Sequence, residues 1–185
     1  MKRHFLLFII LANCVLSFSQ NRKIDSLVKL IKAEKVDSQK ISLQSTLLSL
    51  YAGNNDTANF FKTFRESYAL AEQINYTRGK VLLLIRKSNY YSTNYNREKA
   101  KEPLELAENI LLKTKDVGYL GRVYFEYSVY YRYIDDYSTA LKYTFKSLKI
   151  NESIKDTIAM ANCYGQIGNI YRKQKEYLKA KEFYV

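Results

Sequence analysis

The sequence is short of histidine, proline, glycine and cysteine, and each shortage excludes something. Its 185 residues include one histidine (His4), one proline, six glycines, two cysteines and no tryptophan. Beyond His4 the chain can form neither Ser/His or Cys/His nucleophile pairs nor imidazole metal sites. So few turn-forming residues favour long helices over a sheet-rich fold, which needs many turns.

The motifs of common enzyme and cofactor sites are also missing. The chain contains no P-loop, GxGxxG, HExxH or CxxC pattern. The carboxylate pair Asp135-Asp136 falls in a predicted loop, where such residues form turns and helix caps. We therefore predict a non-enzyme with no catalytic residue, no metal site and no cofactor. The remaining catalytic alternative is a site built from carboxylates.

Residues 1–19 have the order of a secretory signal peptide. A basic start with Lys2 and Arg3 precedes an apolar run over residues 5–16 and then small residues. The apolar run is too short for a good membrane span. We predict cleavage near Ser19/Gln20 and an exported chain that is periplasmic or associated with the cell envelope.

A lipoprotein is the alternative for this segment. Residues 11–14 (Leu-Ala-Asn-Cys) resemble a bacterial lipoprotein box, in which Cys14 would carry the lipid. Asn13 departs from the usual small residue of that box, and the apolar run continues past Cys14. Cleavage near Ser19/Gln20 would leave Cys163 as the single cysteine, which we predict to be a packed apolar residue.

The chain is basic, with a formal net charge of +12. Part of the excess forms a stripe on one predicted helix, at Lys142, Lys146 and Lys149. A solvated outer face explains such a stripe, and an anionic envelope surface is the alternative partner. Because the chain is predicted to be exported, we expect no nucleic acid partner.

Three segments of the chain share one pattern at intervals of 40 residues. In each, a small residue is followed three positions later by tyrosine, and an alanine comes nine positions after the tyrosine. Small residues allow two helices to approach closely, and a tyrosine on the same face can fill the wedge between them. These structural positions are Ser88, Tyr91 and Ala100, then Ser128, Tyr131 and Ala140, then Gly168, Tyr171 and Ala180.

The apolar periodicity around these positions predicts pairs of helices joined by short polar loops. Loops this short make neighbouring helices antiparallel, and a pair buries both of its apolar faces only by stacking on other pairs. We predict an all-α fold, an α-α superhelix in the form of a solenoid of antiparallel helix pairs. It would occupy residues 20–185, with repeats at about 38–74, 77–113, 117–153 and 157–185. The helix pairs expected in the last three repeats are 77–92 with 96–113, 117–133 with 136–153, and 157–174 with a helix from 177 onward.

The pattern resembles the tetratricopeptide repeat (TPR). Tyr164-x-x-Ile167-Gly168-x-x-Tyr171, followed by Ala180 and Tyr184, matches the motif W-x-x-L-G-x-x-Y…A-x-x-x-F with tyrosine in place of tryptophan and phenylalanine. The period of 40 rather than 34 and the missing closing proline depart from that motif. With the signal peptide, they make the chain similar to exported sensor regions of Bacteroidota histidine kinases and transcriptional regulators.

The last predicted repeat is truncated, because Val185 falls within its second helix. Repeat arrays normally end in a polar capping helix. We therefore expect the chain to be the N-terminal part of a longer signal-transduction protein, with membrane association only through a downstream helix or a lipid on Cys14. The alternative is a short array that caps itself by self-association.

The resemblance also implies a binding surface. In this family the first helices of the repeats line a concave groove that takes an extended peptide or a partner's helix. Ile85 and Gly165 stand where the family's carboxylate clamp has lysine, so that clamp is not expected. By repeat position, the groove would contain Ile85 and Val129 and the following candidate contacts: Asn89, Arg122, Phe125, Arg132, Tyr133, Asn162, Asn169 and Arg172.

These observations predict a non-catalytic module for protein–protein interaction or sensing. The alternative is a periplasmic or envelope-attached scaffold without a signalling domain.

Overall fold

A computed structural model describes residues 22–94 and 96–184 of the chain. The predicted signal peptide, the cleavage position near Ser19/Gln20 and Cys14 lie outside these residues. All regular secondary structure within the described residues is helical. The structure therefore confirms the predicted all-α fold.

The helices follow one another with great regularity. Helix α1 covers residues 22–33. The others are α2 (Asp37–Gly53), α3 (Thr57–Gln73), α4 (Thr77–Thr93), α5 (Lys101–Thr114), α6 (Val117–Tyr133), α7 (Tyr137–Ser153), α8 (Thr157–Lys173) and α9 (Tyr177–Glu182). Six of these helices contain 17 residues. Five helices (α3, α4, α7, α8 and α9) begin 20 residues after the start of the helix before.

The three-residue turns between helices explain this spacing. In five of these turns the middle residue has the left-handed conformation, at Asn55, Asn75, Asp135, Lys155 (φ 57°) and Lys175. The next residue's amide then donates to a carbonyl five positions back, as Asp156 does to Asn151 at 2.9 Å. Four of the turns end in an aspartate that caps the next helix by accepting a backbone hydrogen bond, at Asp56, Asp116, Asp136 and Asp156.

One helix start differs from the prediction. The second helix of the second pair was expected from residue 96, but a 3₁₀ turn spans Arg97–Ala100 and α5 begins at Lys101. Pro103 lacks the backbone N–H that an α-helical bond to residue 99 would need. It therefore fits the first turn of a helix that begins at Lys101, where backbone N–H groups have no partner within the helix. The 3₁₀ turn precedes this start, as such turns often do at helix ends.

The chain divides into two compact units, residues 1–75 and residues 76–185. In the described part of the first unit, α2 pairs with α3. Its core contains Ile41 and Leu48 from α2 and Phe60 and Ala71 from α3, all with no exposed surface.

The second unit consists of successive helix pairs. Helix α4 pairs with α5, α6 with α7, and α8 with α9. The first helices also pack on one another, α4 on α6 and α6 on α8, whereas the described residues of α5 and α7 make no contact between the two helices. The first helices contact one another, whereas the second helices do not. Helices α4, α6 and α8 therefore lie on the inner face of this unit.

Candidate functional site

A pocket of about 440 Å³ opens on the inner face of the second unit, between α6 and α8. Three of the predicted groove residues, Arg122, Phe125 and Asn162, line it together. Its size lies within the range typical of ligand-binding pockets. The full lining is Gly118, Tyr119, Arg122, Phe125, Glu126, Ser147, Asn151, Asp156, Ile158, Ala159 and Asn162.

Helix α6 supplies one wall because its lining residues recur at helical spacing. Tyr119, Arg122 and Glu126 follow one another at intervals of three and four positions, so they share one face of the helix. A Cβ added at Gly121 would lie 3.0 Å from Ile150 Cγ2 and 3.1 Å from Asn151 Oδ1. The glycine therefore lets α7 approach closely enough for Asn151 to reach the pocket.

The other wall comes from the start of α8. Asp156 caps this helix by accepting a hydrogen bond from the Ala159 amide at 3.0 Å, which fixes the first turn beside the pocket. Ile158 follows the cap and is 76% exposed. An apolar side chain this exposed at a pocket mouth offers contact area to a ligand.

Glu126 is the most perturbed ionisable group of the pocket. Burial raises the pKa of its carboxyl group, while Arg122, a hydrogen bond from Asn89 and Arg86 act in the opposite direction. The carboxylate thus takes part in a cluster with two guanidinium groups, one from α4 and one from its own helix.

The two arginines of this cluster repel one another. Burial lowers the pKa of the Arg86 guanidinium, and the charge of Arg122 lowers it further, while Glu126 acts to raise it. Arg122 itself is exposed, and its guanidinium lies 5.8 Å from the centre of the Tyr119 ring. Arg122 therefore presents a positive charge to the pocket next to a flat aromatic surface.

The floor of the pocket is a small buried polar cluster. The Cys163 thiol donates a hydrogen bond to Ser147 Oγ at 3.4 Å, and Asn151 Nδ2 donates to the same oxygen at 3.2 Å. Cys163 has no exposed surface, and burial raises the pKa of its thiol. A thiol held in this way is a packing group rather than a nucleophile.

The remaining predicted groove residues lie outside the pocket lining. Asn89 bonds to Glu126, and Asn169 Oδ1 accepts a hydrogen bond from Tyr184 Oη at 2.9 Å. Arg132 packs over Tyr133 with its guanidinium carbon 5.0 Å from the ring centre. Arg172 is exposed near the end of α8.

The interpretation of Ile85 as a groove residue is wrong, because its side chain has no exposed surface. The equivalent positions in the next repeats are Phe125 and Gly165. A Cβ at Gly165 would meet nothing within 4 Å, so the inner face beside Phe125 stays open.

The predicted structural positions lie between paired helices. Ser88 Oγ donates to the Ala100 carbonyl at 2.7 Å, and Ser128 Oγ lies 2.6 Å from Thr144 Oγ1. A Cβ at Gly168 would lie 2.7 Å from the Tyr184 ring. Ala140 and Ala180 are buried. The tyrosines pack on other rings: Tyr91 against Tyr90, Tyr131 on Tyr143 and Tyr171 on Phe183.

The lysine stripe on α7 is exposed, but one of its lysines also contacts aromatic rings. Lys142 and Lys149 are exposed, whereas the Lys146 ammonium lies 5.1 Å from the centre of the Tyr124 ring and 5.0 Å from that of Tyr143. Among the described residues, no cluster of side chains has the composition of a metal site. None of the helices formed by these residues is long and apolar enough to cross a membrane.

Sequence reasoning missed Glu126, Asn151 and Asp156 as pocket residues. A signal for Glu126 was present, because Arg86, Glu126 and Gln166 occupy equivalent positions at intervals of 40 residues. Opposite charges at equivalent positions of neighbouring first helices predict an electrostatic contact between the repeats. Asn151 had no comparable signal, since it comes from a second helix and reaches the inner face only across Gly121.

Solved structures of helical repeat proteins are similar to this chain. An archaeal signal transduction ATPase with a tetratricopeptide repeat sensor, from Pyrococcus horikoshii, matches with TM-score 0.66 and 20% identity over 86% of this chain and 25% of its own. A Rap protein complexed with Competence and Sporulation Factor matches with TM-score 0.72 and 17% identity over 92% and 49%. BtubC from P. vanneervenii matches with TM-score 0.69 and 15% identity over 90% and 69%.

Other comparisons give no relative. No protein-family model matches the sequence. No curated protein matches it. The chain spans about a quarter of the archaeal ATPase and about half of the Rap protein. At these identities the likeness shows the fold alone, and that fold is a TPR-like solenoid of helix pairs.

Proposed function

We propose that this chain is a non-catalytic binding module that holds a segment of a protein or peptide in the pocket between α6 and α8. The observation that carries the proposal is the meeting of Arg122, Phe125 and Asn162 at one pocket of about 440 Å³. Arg122 and Phe125 lie one turn apart on α6, and only the packing of α6 on α8 brings Asn162 beside them.

The chemistry of the lining suits a peptide. Asn162 is exposed and carries both a donor and an acceptor, as recognition of a peptide backbone requires. Tyr119, Phe125 and Arg122 belong to the residue types that dominate protein–protein contacts. Helical repeat solenoids work typically as binding modules, and the Rap protein was solved in complex with Competence and Sporulation Factor, which supports a binding role for the similar fold here.

We further propose that the module is exported and senses its ligand for a longer signalling protein, a histidine kinase or a transcriptional regulator. Support for export comes from the basic, apolar and small-residue order of residues 1–19. Support for sensing comes from the resemblance to exported Bacteroidota sensor regions and from the archaeal ATPase, whose tetratricopeptide repeat domain is a sensor.

Selection of peptides from a random display library tests the binding role. We expect enriched peptides to lose at least about tenfold in affinity with Asn162→Ala or Phe125→Ala, since pocket anchors contribute about 1–3 kcal/mol each. The matched controls Lys142→Ala and Lys149→Ala change exposed side chains of α7 and should leave the affinity unchanged. Enriched peptides that ignore the pocket substitutions and respond to the lysine substitutions would refute the proposal.

Mass spectrometry of the mature N-terminus in the source organism tests export. A chain that starts at Gln20 supports a signal peptide, and a diacylated Cys14 at the N-terminus supports the lipoprotein alternative. A chain that keeps residues 1–19 and fractionates with the cytoplasm would contradict export without affecting the binding role.

A further inference from the structure

We propose that the pocket between α6 and α8 binds a carboxylate group of its peptide on Arg122, and that Glu126 takes up a proton when it does so. The inference rests on the proposed binding function and adds the chemical class of the anchor and its dependence on pH. It differs from the lysine–asparagine carboxylate clamp, for which this chain lacks the residues.

The cluster of Arg86, Arg122 and Glu126 contains two positive groups and one negative group. Arg86, Arg122 and Glu126 interact with one another, so the cluster keeps one positive charge while Glu126 is ionised. Of the three, Arg122 both lines the pocket and is exposed. Its planar guanidinium can form two parallel hydrogen bonds to a carboxylate, which favours that group as a ligand.

Glu126 and Asp156 are less suited to bind a cationic ligand than Arg122 is to bind a carboxylate. Glu126 accepts a hydrogen bond from Asn89 and lies between two arginines, so an ammonium group would meet their repulsion. Asp156 is at the mouth, where its carboxylate already accepts the Ala159 amide of α8. Asp156 would repel an anion in part, which favours a carboxylate seated toward Arg122 rather than toward α8.

A bound carboxylate changes the environment of Glu126 in two ways. It shares the charge of Arg122, and it adds a negative charge nearby. Both raise the pKa of Glu126, which burial has already raised in the free protein. Because the bound state holds the proton more tightly, affinity must increase as pH falls through the interval between the bound and free pKa values.

No other group that faces Glu126 has the opposite effect. Helix α4 contributes Arg86, which stays protonated, and Asn89, which does not titrate. On α6 the neighbour is Arg122, on α7 the pocket contributes neutral Ser147 and Asn151, and on α8 neutral Asn162. The carboxylate of Asp156, at the mouth of the pocket, accepts the Ala159 amide.

Chemical-shift titration of the full chain with blocked tripeptides tests the inference. The probes are acetyl-Ala-Asp-Ala-amide and its Asn and Lys counterparts, and the reporters are the pocket amides of Gly118 and Ala159. For the Asp peptide we expect an affinity at least about threefold higher at about pH 5.5 than at about pH 7.5, below the limit of about tenfold per pH unit for one proton. We expect weaker binding of the Asn and Lys peptides at both pH values.

Substitutions separate the two parts of the inference. Glu126→Gln resembles the protonated carboxyl group, so the Asp peptide should bind equally well at both pH values. Arg122→Gln should remove the preference for Asp, whereas the control Arg172→Gln changes an exposed arginine outside the pocket lining and should have no effect. Calorimetry of the unsubstituted chain in buffers of different ionisation enthalpy should also show net proton uptake.

Each failure has its own meaning. If the Asn or Lys peptide moves the same amides with equal affinity, peptide binding stands and the carboxylate anchor is refuted. If the Asp peptide is preferred but its affinity does not change with pH, the role of Glu126 is refuted. If none of the peptides moves the pocket amides, both this inference and the pocket assignment of the proposed function fail.

Discussion

The left-handed lysine in the turn after α7 allows a sharp test of the helix-pair geometry. Lys155 has φ 57°, a conformation that costs a residue with a Cβ about 1–2 kcal/mol and costs glycine little. Lys155→Gly removes this strain but adds conformational freedom to the unfolded chain, which offsets about 0.5–1 kcal/mol. We expect a net increase of about 0.5–1 kcal/mol in the free energy of unfolding.

Replacement of an earlier lysine by glycine, at Lys149, should change the free energy of unfolding in the opposite direction. Lys149 is exposed in the interior of α7, where glycine is about 0.5–1 kcal/mol less favourable than an ordinary residue. Lys149→Gly should therefore destabilise the chain, although it removes the same side chain from a neighbouring surface. The pair of variants separates the backbone effect from any effect of losing a positive charge.

Thermal unfolding followed by far-UV circular dichroism is a suitable assay. For a chain of this length, 1 kcal/mol shifts the midpoint by about 2–4 °C. We expect Lys155→Gly to raise the midpoint by about 1–4 °C and Lys149→Gly to lower it by a similar amount. Two shifts of the same sign would refute the assignment of Lys155 to a left-handed turn residue, since only loss of charge would then explain them.

Two further predictions concern polar contacts of the second unit. Ser128→Ala removes the acceptor of Gln166 Nε2, which donates to Ser128 Oγ at 3.1 Å in a buried site, so denaturant unfolding should show a loss of about 1–3 kcal/mol. The exposed control Ser138→Ala should stay within about 0.5 kcal/mol, and equal effects would contradict the buried bond. Asp116→Asn removes the ion pair with Arg78, a hydrogen bond of 2.7 Å at a largely exposed site, and should cost at most about 1 kcal/mol near neutral pH. Because Arg78 lowers the pKa of Asp116, this contribution is present above the unfolded pKa and disappears as pH falls through the folded one, so a difference that persists at about pH 2 would refute it.

The helices could be predicted from sequence because the information that sets them is local. The helix pairs expected at 117–133 with 136–153 correspond closely to α6 (Val117–Tyr133) and α7 (Tyr137–Ser153). Apolar periodicity gives the body of each helix, and the turn residue with its following aspartate gives the ends. The start of α5 was missed because a single proline, Pro103, changes the local hydrogen bonding without disturbing the periodicity.

The pocket could be predicted only in part, because depth depends on what a neighbouring repeat provides. Repeat position assigned Arg122, Phe125 and Asn162 to one predicted groove, and these three residues line the same pocket. It gave Ile85 the same status as Phe125, although Ile85 is fully buried. Equivalent positions in successive repeats can therefore differ in exposure, because exposure depends on the side chains that neighbouring helices contribute.

Polar bonds between successive first helices connect the fold to the proposed chemistry. Gln166 of α8 donates to Ser128 of α6, and Glu126 of α6 accepts from Asn89 of α4. Gln166 and Glu126 occupy equivalent positions in successive repeats, so the same repeat position joins α8 to α6 and α6 to α4. A neutral glutamine satisfies that bond completely, whereas a glutamate adds a charge that needs Arg86 and Arg122 as neighbours. The pocket therefore acquires its ionisable group at a position that the fold already uses to hold its inner face together, and a change of Glu126 to glutamine should preserve the fold while removing the response to pH.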